Sequence, residues 1–229
     1  MLKLMKLELK KFKIGIKGVI IANLSIFASL LLTIFASPNT NDMPFGDYNS
    51  MFFLTGTVVR AVFTIFAGAL ISRLIIGEYK NKTINVMFMY PIKRKKIMLA
   101  KLFLVIIFSF ITMFLSSLFL DFSLYILNLF LNFAKEPFTM NILLKNLVNV
   151  TVYSLAFAFV SLIPVYVGMW KKSGTATIVS SVILVSVFNS GSKNLSLSSI
   201  IIFPIIGAIL GIISSYMAIQ DIENVDVVS

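Results

Sequence analysis

Long apolar runs are the feature that most limits what this chain can fold into. They recur along its 229 residues at 19–37, 51–76, 98–120, 147–169, 174–189 and 199–219. A helix needs about 20 apolar residues to cross about 30 Å of hydrocarbon. Lipid cannot satisfy open backbone groups, and the runs do not alternate like barrel strands. The sequence therefore predicts an all-α polytopic membrane protein with six transmembrane helices.

The apolar excess leaves little room for other structure. The chain is 59% hydrophobic and 13% charged, whereas soluble domains average about 45–50% apolar and about 25% charged residues. We therefore expect residues 1–229 to form a single transmembrane domain. The sequence contains no Cys and no His, which removes disulfides and the commonest general base and metal ligand. We expect no catalytic residue and no metal site in this chain.

Three of the apolar segments allow more than one interpretation. The 174–189 segment is short and rich in serine, so it is the weakest of the predicted spans. Residues 121–133 either extend the third helix or lie along the membrane surface. The basic start and first apolar run resemble a signal peptide, but the run exceeds the roughly 7–15 residues of a signal core. We expect it to be retained as the first span.

The basic residues are distributed unevenly between the two predicted sides of the membrane. Sixteen fall on the side of the termini: Lys3, Lys6, Lys10, Lys11, Lys13, Lys17, Arg73, Lys80, Lys82, Lys93, Arg94, Lys95, Lys96, Lys101, Lys171 and Lys172. Three fall on the other side: Lys135, Lys145 and Lys193. Because basic loops stay in the cytoplasm, this bias predicts a multi-pass plasma-membrane protein with both termini cytoplasmic. Topology and attraction to anionic lipid explain the net charge of +11 without a nucleic-acid partner.

The residues before the first span have the period of an amphipathic helix. Leu2, Met5, Leu9 and Phe12 share one helical face, and lysines occupy another. This pattern predicts that residues 1–17 form a helix in the cytoplasmic interface, with lysines among the lipid headgroups. The alternative is a plain basic flank of the first span.

A short apolar segment lies among charged residues in the predicted cytoplasmic loop 77–101. Residues 83–90 (TINVMFMY) are too few to cross a membrane, and basic residues flank both ends. Thr83 is a suitable helix N-cap and Pro91 cannot continue a helix, so we expect about two helical turns. The segment either lies back on the membrane or inserts into a groove of a partner protein.

This loop resembles the one that follows the second span in permeases of type-2 ABC transporters. In that family, a Glu ends the span, a Thr follows, and a short apolar coupling helix precedes a Pro, a basic residue and a Lys. Glu78, Thr83, Pro91, Arg94 and Lys101 match this order. The predicted topology also agrees, so the resemblance extends over the whole chain. The short outer segment 190–198 departs from it, because several relatives carry helical insertions there.

The resemblance implies an exporter subunit that another chain drives. A separate ATP-binding cassette ATPase subunit would bind ATP and Mg and dock on the coupling loop 77–97, and a second permease copy, identical or a paralogue, would complete the pathway. The chain has no GxxxxGK[ST] phosphate-binding loop, so we expect no ATP hydrolysis by it and no cofactor of its own. The residues implied to couple to the ATPase are Glu78, Thr83, Val86, Met87, Phe88, Tyr90, Pro91 and Arg94.

Polar residues within the spans are candidates for lining a translocation pathway: Asn23, Ser25, Ser29, Thr55, Thr57 and Arg60. Hydrogen bonds between helices would explain the uncharged ones equally well. Arg60 either belongs to a functional site or extends outward to the headgroups. We expect no Asp, Glu or His in the middle of a span, which disfavours a proton-coupled carrier.

Proline and glycine in the later spans predict two further features. Pro164 and Pro204 are expected to kink the fourth and sixth spans. Gly207 and Gly211 form a GxxxG motif, which we expect to serve packing within one chain rather than dimerisation.

These features favour a permease that exports a hydrophobic or amphipathic cargo, such as an antimicrobial or cytolytic peptide or a drug. The 22 phenylalanines would suit such a cargo. Two other functions remain open: a secondary carrier or channel without an ATPase, and a membrane immunity or scaffold protein that acts by binding. Association with an ATPase would separate the first function from the other two.

Overall fold

Helices account for nearly all of the residues that the computed structural model describes, which are 16–36, 48–80, 94–131, 139–189, 191–192, 195–196 and 202–220. The long helices are α1 (Ile16–Ala36), α2 (Tyr48–Ile71), α3 (Arg94–Leu131), α4 (Met140–Val160), α5 (Ile163–Lys171), α6 (Gly174–Asn189) and α7 (Ile202–Gln220). After α2 the chain continues through a π-helical stretch, Ser72–Ile76, into a last helical turn, Gly77–Lys80. A two-residue antiparallel pair, β1 (Gly191–Ser192) and β2 (Leu195–Ser196), follows α6.

Four helical segments are long and apolar enough to cross a membrane: Tyr48–Ile76, Lys95–Phe130, Met140–Lys171 and Ile202–Gln220. The first and fifth predicted spans are also helical, but their apolar parts, Lys17–Leu32 and Gly174–Asn189, are shorter. The structure thus confirms a mainly helical protein with four candidate spans. The full set of six crossings stays a prediction.

α3 is longer than the sequence predicted. Its 38 residues correspond to about 57 Å at about 1.5 Å per residue, well beyond about 30 Å of hydrocarbon. Residues 121–131 therefore extend the third helix. Asp121 is buried in this helix, inside the candidate span Lys95–Phe130 but toward its end. The expectation that no carboxylate lies in the middle of a span therefore stays a prediction. Asn146 of α4 donates a hydrogen bond to this buried carboxyl group.

The two prolines have different effects. Pro164 lies at the start of α5, directly after a turn at residues 161–162 that separates α5 from α4. This confirms that the fourth span is interrupted there. Pro204 lies in the first turn of the described helix α7, where a helix tolerates proline. Residues 197–201 lie outside the described ranges, so the predicted kink in the sixth span stays a prediction.

Two clusters of buried apolar side chains hold the helices together. The first surrounds the first two-thirds of α2 and includes Met51, Phe63 and Phe157. The second joins the end of α2 to the start of α3, and includes Leu74 and Val105. The second cluster therefore lies at the end of the bundle that the charge distribution predicts to be cytoplasmic.

Small residues permit the closest helix contacts. A Cβ atom built on Gly211 would lie 2.1 Å from the carbonyl oxygen of Phe159, and one on Gly207 would lie 2.9 Å from Val160 Cγ2. α7 can approach α4 this closely only because both positions lack a side chain. The structure therefore confirms that the GxxxG motif packs helices within one chain.

Two predicted features lie mostly outside the described residues. The described part of residues 1–17 is Ile16 and Lys17, which belong to α1. The predicted coupling helix falls entirely outside the described ranges, so these residues stay predictions: Thr83, Val86, Met87, Phe88, Tyr90 and Pro91.

Candidate functional site

A buried ion pair joins the two ends of the predicted coupling loop. Lys101 Nζ, on α3, pairs with the carboxylate of Glu78 in the last turn after α2. The same ammonium group donates a hydrogen bond of 2.9 Å to the carbonyl oxygen of Leu74. Lys101 is 3% exposed and Glu78 is 5% exposed. Both charged groups are thus buried away from solvent, and each is stabilised there by the opposite charge of the other.

The π-helical stretch contributes the backbone part of this ion-pair site. In a π-helix each backbone N–H bonds to the carbonyl oxygen five residues earlier, rather than four as in an α-helix. The bond from Gly77 N–H to Ser72 O is of this kind. The hydrogen bond from Lys101 reaches Leu74 inside this widened turn. π-helical turns are rare and occur frequently at functional sites. The end of the second span and the start of the third are therefore fixed to each other by side chain and backbone.

The predicted coupling residues Glu78 and Arg94 lie on either side of residues 81–93. Glu78 is buried at the base of the loop, and Arg94 begins α3. Glu78 is therefore in position to fix the shape of the loop at its base.

A second polar site lies inside the bundle, nearer its other end. Arg60 of α2 is 7% exposed, and its Nη2 donates a hydrogen bond of 2.9 Å to Thr57 Oγ1. Its Cζ lies 4.7 Å from the ring centre of Tyr153 and 5.5 Å from that of Phe157. Its buried Nε has no hydrogen-bond partner. Arg60 thus points into the bundle, which excludes the alternative that it extends outward to the headgroups.

A cavity of about 60 Å³ lies beside Arg60. A space of this size holds a few water molecules or one small polar group. The polar part of its lining, besides Arg60, comes from Asn49, Ser117, Asn146, Asn149, Tyr153 and Ser154. The apolar part comes mainly from Phe52, Phe53 and Val150.

The carboxyl group of Asp121, on α3, contacts one of the residues that line this cavity. Its Oδ2 accepts a hydrogen bond of 2.8 Å from Asn146 Nδ2, and its buried Oδ1 has no hydrogen-bond partner. The Asp121 carboxylate and the Arg60 guanidinium attract each other, but each bonds to a different neighbour. The site therefore combines a buried guanidinium and a buried carboxyl group, each partly satisfied by neutral groups.

Comparison with known proteins identifies the family. A family model described as "ABC-2 family transporter protein" matches residues 4–190. This chain belongs to the ABC-2 transporter family. It is therefore the membrane permease of an ABC transporter, which confirms the family resemblance of the coupling loop.

A bacterial relative is similar to this ABC-2 permease over almost its whole length. The "uncharacterized protein YcbO" of Bacillus subtilis (strain 168) is 38% identical over 225 residues, which is 97% of this chain and 99% of the relative. No solved structure matches the permease significantly.

The other pathway candidates of this ABC-2 permease bond mainly to their own helices. Thr55 Oγ1 donates to the Met51 carbonyl oxygen, and Ser25 and Ser29 bond to carbonyl oxygens within α1. Asn23 links two helices, because its Nδ2 donates a hydrogen bond of 2.9 Å to Ser116 Oγ of α3. Among the predicted pathway residues, Arg60 is the one that lines the cavity.

Sequence reasoning missed most of the cavity's lining. The lining residues Asn146, Asn149 and Tyr153 recur at i, i+3 and i+7 on α4, and Ser117 of the lining is four residues before Asp121, which bonds to Asn146. Residues at these spacings share one helical face. Polar residues aligned on one face of an apolar helix were the signal that could have located this site in the ABC-2 permease.

Proposed function

We propose that this ABC-2 permease exports a hydrophobic or amphipathic molecule, such as an antimicrobial peptide or a drug, and that a separate ATPase subunit powers it. The family match over residues 4–190 is the observation that carries the proposal. A second permease copy, identical or a paralogue, would complete the pathway. The concentration of basic residues supports cytoplasmic termini and a cytoplasmic loop.

The ATPase is expected to dock on the loop between α2 and α3. The Glu78–Lys101 pair and the bond from Lys101 to Leu74 join both helices at the base of this loop. A force on the loop would therefore act on the second and third spans together. This arrangement supports a mechanical role for the loop, with the apolar residues 83–90 as the part that enters the ATPase.

The lining of the cavity supports an amphipathic cargo. Arg60 and several amide and hydroxyl groups face the same space as Phe52 and Phe53. A ligand with both a polar and an apolar part would satisfy both kinds of surface.

A secondary carrier without an ATPase is the second candidate function, and Asp121 is the observation that favours it. A buried carboxylate within a span is typical of proton-coupled carriers. Membership of the ABC-2 family is stronger evidence than this one carboxyl group, since the family implies a partner subunit that hydrolyses ATP.

Co-expression with the ABC ATPase encoded nearest to this chain tests the proposal. We expect the tagged permease to retain the ATPase in mild detergent, and transport in proteoliposomes to need both chains and ATP. The purified permease alone should hydrolyse no ATP, because it has no phosphate-binding loop. Transport driven by a pH gradient without the ATPase would support the carrier instead, and binding of a toxin or protein without transport would support the immunity or scaffold function.

A further inference from the structure

The Arg60 side chain has hydrogen-bonding capacity that the protein leaves unused. A guanidinium group carries five N–H donors. Nη2 bonds to Thr57, whereas the buried Nε has no partner. An intramembrane charge is costly and persists where polar groups or water satisfy it. Arg60 therefore presents a positive charge and at least one unused donor inside the bundle.

The guanidinium group of Arg60 borders the cavity, so there is space beside it for a ligand. A Cβ atom built on Gly56 would lie 3.0 Å from Arg60 Nη1, so glycine keeps this side unobstructed. The cavity there is lined by the amides of Asn49 and Asn149 and the hydroxyl of Ser154. These groups can donate hydrogen bonds to an oxygen anion without adding charge.

The cavity has an apolar wall and lies toward the end of the bundle predicted to be outside. Phe52, Phe53 and Val150 form the apolar wall. Asn49 is in the first turn of α2 and is exposed, and Asn146 is near the start of α4. The volume of about 60 Å³ holds a small headgroup but not a whole amphiphile. An apolar tail would have to extend from the cavity between the helices or into lipid.

We propose that this cavity binds the anionic head of an amphiphile, a phosphate or carboxylate group, and that Arg60 recognises its charge. A phospholipid of the outer leaflet and an acidic amphipathic cargo present the same chemistry. The proposal deepens the exporter function, on which it rests for the identity of any cargo. In its ionised form, Asp121 attracts Arg60 and would compete with a bound anion.

Titration of dodecyl phosphate into the purified permease in neutral detergent tests this proposal without an ATPase. Calorimetry gives the dissociation constant, and the ligand-dependent rise in melting temperature provides a second readout. We expect saturable binding. Nanodiscs of phosphatidylglycerol or phosphatidylcholine, followed by native mass spectrometry, show whether an anionic lipid occupies the same site.

Variants of the two charged residues provide the decisive comparison. Arg60→Gln should weaken dodecyl phosphate binding about tenfold or more, because it removes charge-assisted hydrogen bonds. Arg60→Lys keeps the positive charge and should therefore lose less affinity for dodecyl phosphate than Arg60→Gln. Asp121→Asn should bind the probe several-fold more tightly, because it removes the competing carboxylate. Lys96→Gln is the control: Lys96 is an exposed cation at the start of α3, so removing its charge should leave the affinity for dodecyl phosphate unchanged.

A purely structural charge pair would give a different pattern. Arg60→Gln and Asp121→Asn would then lower the melting temperature and leave probe binding unchanged, and that result would overturn the proposal. If Arg60→Gln does not fold, Arg60→Lys decides: probe binding as tight as in the wild type refutes the proposal.

The lipid experiment separates the two sources of the anion. Arg60-dependent retention of phosphatidylglycerol over phosphatidylcholine would identify a lipid site, whereas probe binding without lipid selectivity would identify a cargo site. None of these measurements involves an ATPase. Their failure would therefore leave the exporter function standing, and failure of the ATPase experiment would leave the anion site standing.

Discussion

Arg60 and Lys101 are the two buried basic side chains in the part of the chain that the structure describes, and they are stabilised in different ways. Lys101 has a directly paired carboxylate and a backbone carbonyl. Arg60 has one hydroxyl, two aromatic rings and a more distant carboxylate. Complete pairing suits a fixed structural joint, because moving either partner leaves a buried charge alone. Partial pairing at Arg60 suits a site that a ligand completes.

The joint between α2 and α3 gives a prediction for single and double variants. Lys101→Met or Glu78→Gln alone should lower the free energy of unfolding by about 3–5 kcal/mol, because each leaves a charged or polar partner buried and unmatched. The double variant should be less destabilised than the two losses added together. Thermal unfolding in detergent measures this, with exposed Lys96→Met as the control. Additive losses would show that the pair is not energetically coupled.

Three charged residues of the two sites could be found from the sequence, but Asp121 and the neutral partners could not. Arg60 stands out because a charge within an apolar run is costly, and Glu78 and Lys101 stand out through the family resemblance of their loop. Asn146 and Tyr153 are neutral, and neutral polar residues in a span fit helix-helix bonding equally well. Which of them face one cavity depends on how α2, α3 and α4 pack, and a single sequence does not define that packing.

At the scale of elements, the positions of the helices could be predicted from the sequence, whereas several of their ends could not. Hydropathy marks the part of a helix that matches hydrocarbon, but a helix continues while its backbone bonds and side-chain contacts persist. For this reason α3 (Arg94–Leu131) runs past Asp121, and α4 (Met140–Val160) begins before its apolar run. The π-helical stretch Ser72–Ile76, which receives a hydrogen bond from Lys101 of another helix, had no sequence signal.

The close contact between α7 and α4 predicts that adding one methyl group at Gly211 lowers the stability of the protein substantially. Gly211→Ala would place a Cβ 2.1 Å from the Phe159 carbonyl oxygen, and the backbone of α4 cannot yield as a flexible side chain can. We expect a loss of about 1–3 kcal/mol or more in the free energy of unfolding. Ile212→Ala, at the exposed neighbouring position, should cost much less. Equal melting temperatures for Gly211→Ala and the wild type would contradict this close approach.

The predicted coupling helix at 83–90 gives a prediction for ATPase coupling. Burying a Met or Phe side chain contributes roughly 1.5–3 kcal/mol, and a buried, unpaired carboxylate adds a penalty of several kcal/mol. Met87→Glu and Phe88→Glu should therefore detach the ATPase or abolish ATP-driven transport, while membrane insertion stays normal. Co-purification and transport in proteoliposomes measure both effects.

Lys96→Glu is the matched control for the coupling helix, because Lys96 is exposed whereas neighbouring Lys95 is half-buried. It changes the charge beside the same loop and should have a much smaller effect. If both apolar-to-Glu variants bind and drive the ATPase fully, residues 83–90 lie on the membrane surface instead.

At the scale of the whole molecule, the same two helices connect the two polar sites. α2 carries Arg60 and leads into Glu78, and α3 carries both Lys101 and Asp121. Because Lys101 fixes α2 to α3 at the loop, a force there would move both helices together against α4. Residues of α2, α3 and α4 line the cavity, so such a movement would change the shape of the cavity near the outer end. Such coupling requires the two sites to lie toward opposite sides of the membrane.

The last prediction concerns this orientation. The excess of basic residues around the termini and the loop 77–101 predicts that these segments are cytoplasmic. Exposed Trp170, Lys171 and Lys172 at the end of α5 agree with an interface on that side. The protein has no Cys, so single cysteines report cleanly. An impermeant thiol reagent should label Thr40→Cys and Ser192→Cys in intact cells, and Lys82→Cys only after permeabilisation. Labelling of Lys82→Cys in intact cells would reverse the topology and place the predicted ATPase contact on the wrong side of the membrane.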